Sequence, residues 1–428
     1  MAAAAAAARA EAAEPPRAAP VRVNTARMSD RYYADALRAA LAELGWAEVR
    51  GTTGADADAE VVWWDGPVAR AHFALVRPGQ AISRFHGMVR LCRKVCFAHQ
   101  LRWAVQLYGG ACDVAPQTWC LPEQLDAFRA HAKAAYGGSS AEPGEYFIVK
   151  PDAGCQGDGI ALLTADGVER RSAAARRAGV RAVVQAYVPR PLLLRGHKFD
   201  LRLYALLLSA QPFEAYLCTR GLARFATQPY APAAQSRGRA LLAHLTNSTL
   251  NAQYAGGSNK RSWAAVLAAL AASGGLAPAG AAGGAWAAIA RVVCVALRAI
   301  CPLAAALQTE AASEARLAAP GRFNFQLIGV DVLLDEDGRA WLLELNHSPS
   351  MALIDADDDE RAAKVGALAA ALRLATCTGP ADVRIATICE AHAIEPLHAL
   401  PWPPAPVPPA DACAPSEAAA LFLSLIHI

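Results

Sequence analysis

The sequence predicts a mixed α/β fold, because segments with helical periodicity alternate with short apolar strands that end in polar residues. Residues 32–46 have apolar side chains at helical spacing, and residues 61–64 read as a strand. Two further pairs of strand-like segments enclose polar turns, within residues 146–163 and 330–345. At 428 residues the chain is long enough for two or three domains that share a large core.

Composition divides the chain into a folded centre and two unstructured ends. Residues 1–20 are Ala-rich and of low complexity, and residues 396–428 are Pro-rich. We therefore expect disorder at both ends and one folded domain over residues 21–395. Within that domain, residues 286–307 are apolar but contain two arginines, which favours a buried helix over a membrane span.

Charge and cysteine content narrow the possible functions. The formal net charge of +3 is too small to indicate a nucleic-acid partner. The 11 cysteines lack the paired CxxC spacing of a structural zinc site, so we expect buried free thiols. Because no signal peptide is recognisable, we expect a reducing compartment.

A strand pair near the C-terminal end of the domain carries the most informative polar residues. Two apolar strands, at residues 330–334 and 341–345, flank a polar turn. Glu344 and Asn346 are two apart and share a strand face, and a hairpin would bring Asp331 beside them. Such oxygen ligands suit magnesium that also holds nucleotide phosphates. A metal–nucleotide site is therefore the first hypothesis.

A glycine-rich turn between two strands forms a second candidate site. The strand at residues 146–151 carries Lys150 near its end, and residues 152–159 contain three glycines. Glycines let backbone amides approach a phosphate, and a lysine neutralises its charge. The segment is not a P-loop, because the GKS/T ending is missing and a strand follows it. Taken alone, a plain tight turn explains it equally well.

The strand at residues 197–204 alternates polar and apolar side chains. Its period places Lys198, Asp200 and Arg202 on one face and the apolar residues on the other. An exposed strand edge with a salt bridge is one interpretation. The strongly apolar flanking segments favour the other interpretation, a polar face that lines a cleft.

Two downstream loops carry weaker signals. Arg224 could bind a phosphate or a carboxylate through two N–H groups. Thr246 and Asn247 offer short polar groups, which loops often carry without any ligand. These segments gain weight only from their order along the chain.

The order of the segments is far more specific than any one of them. The runs FIVKPDAGCQGDGI, VVQAYVPRPLLLRGHKFDLRLY, GLARFATQPY, HLTNST and DVLLDEDGRAWLLELNHSPS together resemble the tubulin tyrosine ligase-like family. Upstream, GWAEV, VVWWD, RFHGMVRLCRK and QTWCLP fit the same order. The resemblance runs from Val21 to Leu374 and is to the glutamylating branch, whose polyglutamylases share GCQG in the phosphate hairpin.

This resemblance implies an ATP-grasp fold with ATP between two sheets. The implied subdomains are N-terminal (21–120), central (121–205) and C-terminal (206–395). The implied nucleotide-binding residues are Lys150, Gln156, Gly157, Gln185, Ala186, Tyr187, Val188, Lys198, Phe199, Asp200, Arg224, Thr246 and Asn247. The implied magnesium ligands are Asp331, Glu344 and Asn346, and the implied catalytic residues are Arg202, Lys198 and Arg224. The implied pocket for the incoming amino acid comprises Arg224, Ser248, Thr249, Lys260 and Lys364.

The implied reaction is the ATP- and Mg²⁺-dependent joining of free L-glutamate to glutamate residues of tubulin C-terminal tails, through an acyl phosphate. The implied partner is tubulin or microtubules, without nucleic acid or membrane, and the implied state is a monomer. The implied location is the cytoplasm and cytoskeleton, with cilium, flagellum or basal body as further sites. A glycylase, a tyrosine ligase of the same fold and a catalytically silent microtubule-binding protein are the alternatives. The retained metal ligands argue against the silent protein, and the two pocket lysines argue against glycine.

Several positions bear on how closely the family pattern applies. Ser248-Thr249 stand where the family has Tyr-Ser, and Asp158 replaces a basic residue in the phosphate hairpin. A carboxylate near phosphates is unfavourable unless it faces solvent. Acidic tubulin tails would need a basic surface on the enzyme. The candidates for it are Arg90, Arg93, Lys94, Arg102, Arg176, Arg177 and Arg181. An ordinary solvated surface charge is nearly as good an explanation for each of them.

Overall fold

The computed structural model describes most of the predicted folded domain. The described residues are 19–29, 33–53, 57–73, 75–77, 79–136, 146–154, 157–231, 238–251, 258–273, 280–314, 323–377, 384–400 and 402. Nearly all of the two segments predicted to be disordered lies outside these residues, and so does Gln156.

The N-terminal sheet is parallel and has the strand order β2-β1-β3-β4. Its strands are β1 (Arg22–Arg27), β2 (Ala47–Val49), β3 (Val61–Trp64) and β4 (Ala81–Ile82). Helix α1 (Ala34–Leu44) connects β1 to β2 and ends at Gly45, whose φ of 66° suits a residue without Cβ. The predicted helix at 32–46 and the predicted strand at 61–64 are confirmed with these bounds.

Three helices lead from this sheet into the next part of the chain. They are α2 (Arg70–Phe73), α3 (Met88–Leu91) and α4 (Lys94–Tyr108), followed by a 3₁₀ turn at Gly110–Cys112. Helix α4 packs Val95 against Cys120 and Val183 of the central sheet. It therefore covers the face of that sheet that carries Lys150.

The central sheet is antiparallel, with the strand order β5-β8-β6-β7. Its strands are β5 (Thr118–Leu121), β6 (Phe147–Pro151), β7 (Ala161–Leu163) and β8 (Ala182–Ala186). Helices α5 (Leu125–Tyr136) and α6 (Ala165–Arg177) belong to this part of the chain. Trp119, Phe128 and Phe147 form the core on the face opposite Lys150, with ring centroids 4.9–6.0 Å apart. The predicted strand–turn–strand around the glycine-rich segment is confirmed as β6 and β7.

The large sheet is antiparallel and is built around the 13-residue strand β10. Its strands are β9 (Leu193–Leu194), β10 (His197–Ser209), β11 (Glu214–Cys218), β12 (Leu222–Phe225), β13 (Lys260–Ser262), β14 (Gln326–Leu334), β15 (Ala340–Asn346) and β16 (Ile394–Pro396). The predicted subdomain limits at residues 120 and 205 fall inside β5 and β10.

The remaining helices pack on or around the large sheet. They are α7 (Ser248–Asn251), α8 (Trp263–Ala272), α9 (Gly280–Glu314), α10 (Asp358–Ala375) and α11 (Arg384–His392), with 3₁₀ turns at Gly238–Ala243 and Leu397–Ala399. By length and composition α9 could cross a membrane. Its side chains Ile289, Val293 and Leu297 are fully buried in the core that includes Leu201 and Leu203 of β10. The predicted buried helix is therefore confirmed.

The alternation of β10 explains where the functional face lies. Leu201 and Leu203 point into the core beneath α9, whereas Tyr204 and Leu206 point to the opposite face, which α1 and α10 cover. Toward its N-terminal end this second face changes from apolar to charged. The sheet therefore leaves a charged region beside its helix-covered core.

Candidate active site

A row of charged side chains crosses one face of the large sheet. The register pairs Arg224 of β12 with Asp200 of β10 and with Lys260 of β13. It also pairs Arg202 with Asp331 of β14, which in turn faces Glu344 of β15. Directly opposed residues of antiparallel strands share a face. The hairpin predicted to bring Asp331 beside Glu344 is confirmed.

Two arginines and two aspartates in this row form one buried ion-pair network. The Arg224 guanidinium donates to Asp200 Oδ1 at 2.8 Å and to Asp331 Oδ2 at 2.7 Å. Arg202 donates from Nε and Nη2 to the two oxygens of Asp331, at 2.6 and 3.1 Å. Burial by itself would raise the pKa of Asp331, but Arg202 and Arg224 hold it well below its usual range.

Glu344 is the opposite case. Burial raises the pKa of its carboxyl, and the neighbouring Asp331 raises it further, while Lys94 and Lys150 oppose that shift. A cation between the two carboxylates would relieve their repulsion. Asn346 Oδ1 accepts one hydrogen bond, from the Ser348 amide at 3.1 Å, and an amide oxygen has a second lone pair. This donor set suits a hard cation such as magnesium.

The fit to magnesium rests on two carboxylates and an amide. Among the described residues, no three His, Cys, Asp or Glu side chains come together as a metal site. Asp331 already accepts hydrogen bonds from two guanidiniums, so a cation there would share its oxygens with Arg202 and Arg224.

Lys150 lies between the central and large sheets. Its Nζ donates to Gln185 Oε1 at 2.9 Å and lies 3.4 Å from the carbonyl oxygen of Leu343. Burial lowers the pKa of this lysine, and Glu344 acts in the opposite direction. Because its hydrogen bonds are to neutral oxygens, the ammonium is available to form an ion pair with an anionic ligand.

The glycine-rich turn closes a cleft of about 200 Å³ over the carboxylate of Glu344. Glu344, Asn346 and Asn247 line this cleft together with Gly157. Gly157 has φ of 84°, and a Cβ there would collide with the side chain of Leu250, so only glycine fits. The replacement residue Asp158 is exposed at the rim, where water solvates its charge.

Lys198 forms a second lysine site next to the segment that joins the two sheets. Its Nζ donates to the Tyr187 hydroxyl at 3.1 Å and lies 4.5 Å from the centroid of that ring. The hydroxyl lies 2.7 Å from His244 Nδ1. Burial lowers the pKa of Lys198 to about 7, although Asp200 opposes the shift. Burial and Lys198 together lower the pKa of His244 to about 4.

Other predicted nucleotide-binding residues are placed less directly. The amides of Ala186 and Tyr187 donate to the carbonyls of Gln117 and Tyr146, at 2.8 and 3.1 Å. Phe199 packs against Phe225 on the core side of the sheet, so its side chain lies away from the charged face. The predicted residues not yet mentioned, Val188 and Thr246, are half-buried and buried.

The predicted amino-acid pocket contains a residue that sequence reasoning missed. Lys260 and Lys364 both contact Glu360, at 2.7 and 2.6 Å. Ser248 Oγ is buried and has no hydrogen-bond partner within the described residues. The Thr249 side chain lies outside the part of the chain that is described.

Sequence reasoning also underrated the start of α4. Lys94 donates to the carbonyl of Gly154 at 2.8 Å, and the Val95 amide donates to Asp152 Oδ1 at 2.9 Å. These contacts attach the glycine-rich turn to the helix. The signal was the basic run RFHGMVRLCRK, which indicated a surface rather than a contact with this turn.

Comparisons with known proteins agree on one family. A sequence model of the tubulin-tyrosine ligase family matches residues 74–367. The mouse protein named tubulin polyglutamylase TTLL11 is 33% identical over 343 residues, which is 78% of this chain and 44% of that protein. Its human counterpart is 32% identical, over 78% of this chain and 46% of its own length. A probable beta-tubulin polyglutamylase of Tetrahymena thermophila is 30% identical over 69% of this chain and 24% of its own. The chain thus spans less than half the length of these relatives.

Proposed function

The chain belongs to the tubulin-tyrosine ligase family, and on that premise we propose that it is an ATP-dependent polyglutamylase of the ATP-grasp fold. In this proposal the enzyme joins the amine of free L-glutamate to a glutamate carboxylate of a tubulin C-terminal tail. The observation that carries the proposal is the meeting of Asp331 and Glu344 with the buried Lys150 between two sheets, with a second buried lysine, Lys198, near Asp200. That arrangement suits a nucleoside triphosphate and its metal better than it suits a purely structural role.

The proposed reaction has two steps. An acceptor carboxylate oxygen attacks the γ-phosphorus of ATP, and ADP leaves with the electron pair of the broken P–O bond. The amine of free glutamate then attacks the carbonyl carbon of the resulting acyl phosphate, inorganic phosphate leaves, and the amine loses a proton. Because an acyl phosphate is already reactive, the protein has mainly to hold the anions together.

The residues of the site divide this work. Lys150, Lys198 and the backbone amides of the glycine-rich turn hold the phosphates and offset their charge. Arg202 lies where the carboxylate and the γ-phosphate would meet, and Asp331 fixes its orientation. Magnesium, held by Asp331, Glu344 and Asn346, would supply further charge neutralisation on the phosphate oxygens.

A basic cleft of about 580 Å³ supports an acidic acceptor. It adjoins the smaller cleft, because Arg93 and Asp152 line both. Among the described residues, four arginines line it against a single carboxylate, that of Asp152; they are Arg84, Arg90, Arg93 and Arg181. The pKa of two nearby histidines is lowered mainly by burial and further by arginines of this cleft, Arg181 at His99, and Arg84 and Arg93 at His347, whose pKa falls to about 4. An acidic tail would find a complementary surface here.

The activity is tested by incubating the protein with microtubules, Mg-ATP and labelled glutamate, glycine or tyrosine in turn. We expect incorporation of glutamate into tubulin, and none with the Glu344→Gln variant. Incorporation of glycine or tyrosine in place of glutamate would replace the proposed amino acid. Microtubule binding without any incorporation would indicate a silent binding protein. A tubulin substrate would put the activity in the cytoplasm, on the cytoskeleton or in a cilium, flagellum or basal body.

A further inference from the structure

Glu360 lies between two residues of the predicted amino-acid pocket, Lys260 and Lys364. It lies in the first turn of α10, and its side chain is 3% exposed. Its Oε1 accepts a hydrogen bond from Lys260 Nζ at 2.7 Å and lies 2.6 Å from Lys364 Nζ. One carboxylate oxygen therefore holds both of the lysines that the family resemblance assigns to the amino acid.

The convergence goes beyond an ordinary helical ion pair. Glu360 and Lys364 are four residues apart on α10, which is a common intrahelical spacing. Lys260 comes from β13, 100 residues earlier, and reaches the same oxygen from the edge of the large sheet. Burial lowers the pKa of Lys364, while Glu360 opposes that shift. The intrahelical pair of Glu360 and Lys364 is therefore complete without Lys260.

Both lysines retain hydrogen-bonding capacity. An ammonium has three N–H donors. Lys260 uses one of them for Glu360, and Lys364 uses one for Glu360 and one for the Ala352 carbonyl at 2.5 Å. Within the described residues, Glu360 Oε2 accepts no hydrogen bond. A ligand could therefore bind without displacing Glu360.

The charged residues of the predicted amino-acid pocket and its neighbouring ion pairs do not cancel. Arg202 and Arg224 are balanced by Asp200 and Asp331, whereas the two lysines share Glu360 alone. The described groups of the pocket thus carry one net positive charge. At neutral pH a dicarboxylic amino acid carries one net negative charge, since it has two carboxylates and one ammonium, whereas glycine and tyrosine carry none.

We infer that Glu360 is the positioning residue that fixes Lys260 and Lys364 and sets the charge of the pocket for a dicarboxylic amino acid. The inference rests on the proposed function for the place of the amino acid. Glu360 does not take part in the chemistry. It holds two flexible side chains in one geometry, so that the ligand carboxylates meet ammonium groups that are already ordered.

The test is the affinity of L-glutamate for the Glu360→Gln variant, measured by calorimetry in the presence of Mg-AMPPNP. We expect the dissociation constant of glutamate to rise about tenfold, because the hydrogen bonds that orient the lysines lose their charged acceptor. A fall would overturn the inference, since the added positive charge would then matter more than the orientation of the lysines. We expect the dissociation constant of AMPPNP to stay within about twofold. The Glu360→Asp variant should recover part of the glutamate affinity.

Asp359→Asn is the matched control, because it removes a carboxylate from the same helical turn. Asp359 is exposed and contacts neither lysine. We expect it to leave the affinity for glutamate unchanged. An equal loss in both variants would overturn the inference, as would an unchanged affinity in Glu360→Gln or a parallel loss of AMPPNP binding.

The binding experiment also separates this inference from the proposed function. A wild-type protein that binds glutamate but transfers none to microtubules would refute the proposed activity and leave the role of Glu360 standing. A wild-type protein that transfers glutamate, with an unaffected Glu360→Gln variant, would do the reverse. Tighter binding of glycine than of glutamate would overturn the assignment of a dicarboxylic ligand.

Discussion

Two sets of buried cations in the candidate site have different partners. Arg202 and Arg224 contact the carboxylates of Asp331 and Asp200. Lys150 and Lys198, by contrast, donate hydrogen bonds only to neutral oxygens among the described residues. Burial lowers the pKa of both lysines, whereas the nearby carboxylates outweigh burial and raise the pKa of both arginines.

The difference separates a scaffold from a binding surface. The arginine–aspartate network is complete without a ligand, so it orders the large sheet before anything binds. The lysines instead make no hydrogen bond to a carboxylate within the described residues, so their charged form is costly in this buried place until an anion binds. Changes in the first set should therefore alter stability, and changes in the second set should mainly alter ligand affinity.

The largest effect is expected from Asp331→Asn. This substitution keeps the shape of the side chain but removes the carboxylate that pairs with Arg202, whereas Arg224 keeps Asp200. Leaving the buried Arg202 guanidinium without its partner should lower the free energy of unfolding by roughly 3–5 kcal/mol and abolish activity. Denaturant unfolding followed by circular dichroism measures the first quantity.

Asp337→Asn is the control for that loss. Asp337 pairs with Arg190 in an ion pair whose two side chains are 69% and 65% exposed. Exposed pairs contribute about 0–1 kcal/mol, so the control should remain nearly as stable as the wild type. Equal losses in the two variants would remove the distinction between the buried network and any other ion pair.

Lys150→Met should give the opposite pattern. It removes a buried charge that is costly and has no carboxylate contact, so the free energy of unfolding should rise, or fall by less than about 1 kcal/mol. The dissociation constant of Mg-AMPPNP should rise by about tenfold to a hundredfold, since a hydrogen bond to a charged group is lost. Lys133→Met, at an exposed position of α5, should change neither quantity. A large loss of stability without loss of nucleotide binding would contradict the assignment.

Local pattern was enough to predict the carboxylate end of the site. The β14–β15 hairpin follows from a period of two and a polar turn, and Asp335 completes that turn by accepting hydrogen bonds from the amides of Asp337 and Arg339. The facing of Asp331 and Glu344 needs only residues close in sequence. This part was therefore predictable from the sequence alone.

Long-range contacts were not predictable in the same way. Glu360 meets Lys260 across 100 residues, and Lys94 meets Gly154 across 60. No periodicity connects such positions, because the packing of α4 and α10 on the sheets decides them. His244 was visible within the run HLTNST, but its contact with Tyr187 depends on how two separate segments fold together.

The last prediction concerns pH and tests whether Lys198 binds an anion. In the ligand-free protein the pKa of Lys198 is about 7, and a bound phosphate would favour its protonated form. Nucleotide binding above pH 7 should therefore take up a proton, and the affinity should fall by at most about tenfold per pH unit as pH rises from 7 to 9. The pKa of Lys198 is lower in the folded protein than in the unfolded chain, where it is about 10.4, so the free energy of unfolding should also fall as pH falls from about 10.4 toward 7. Titrating Mg-AMPPNP from pH 7 to 9 measures how the affinity depends on pH, and Lys198→Met should abolish that dependence. A wild-type affinity that stayed flat would mean that Lys198 is already charged, and the contrast between the lysines and the arginines would then rest on contacts alone.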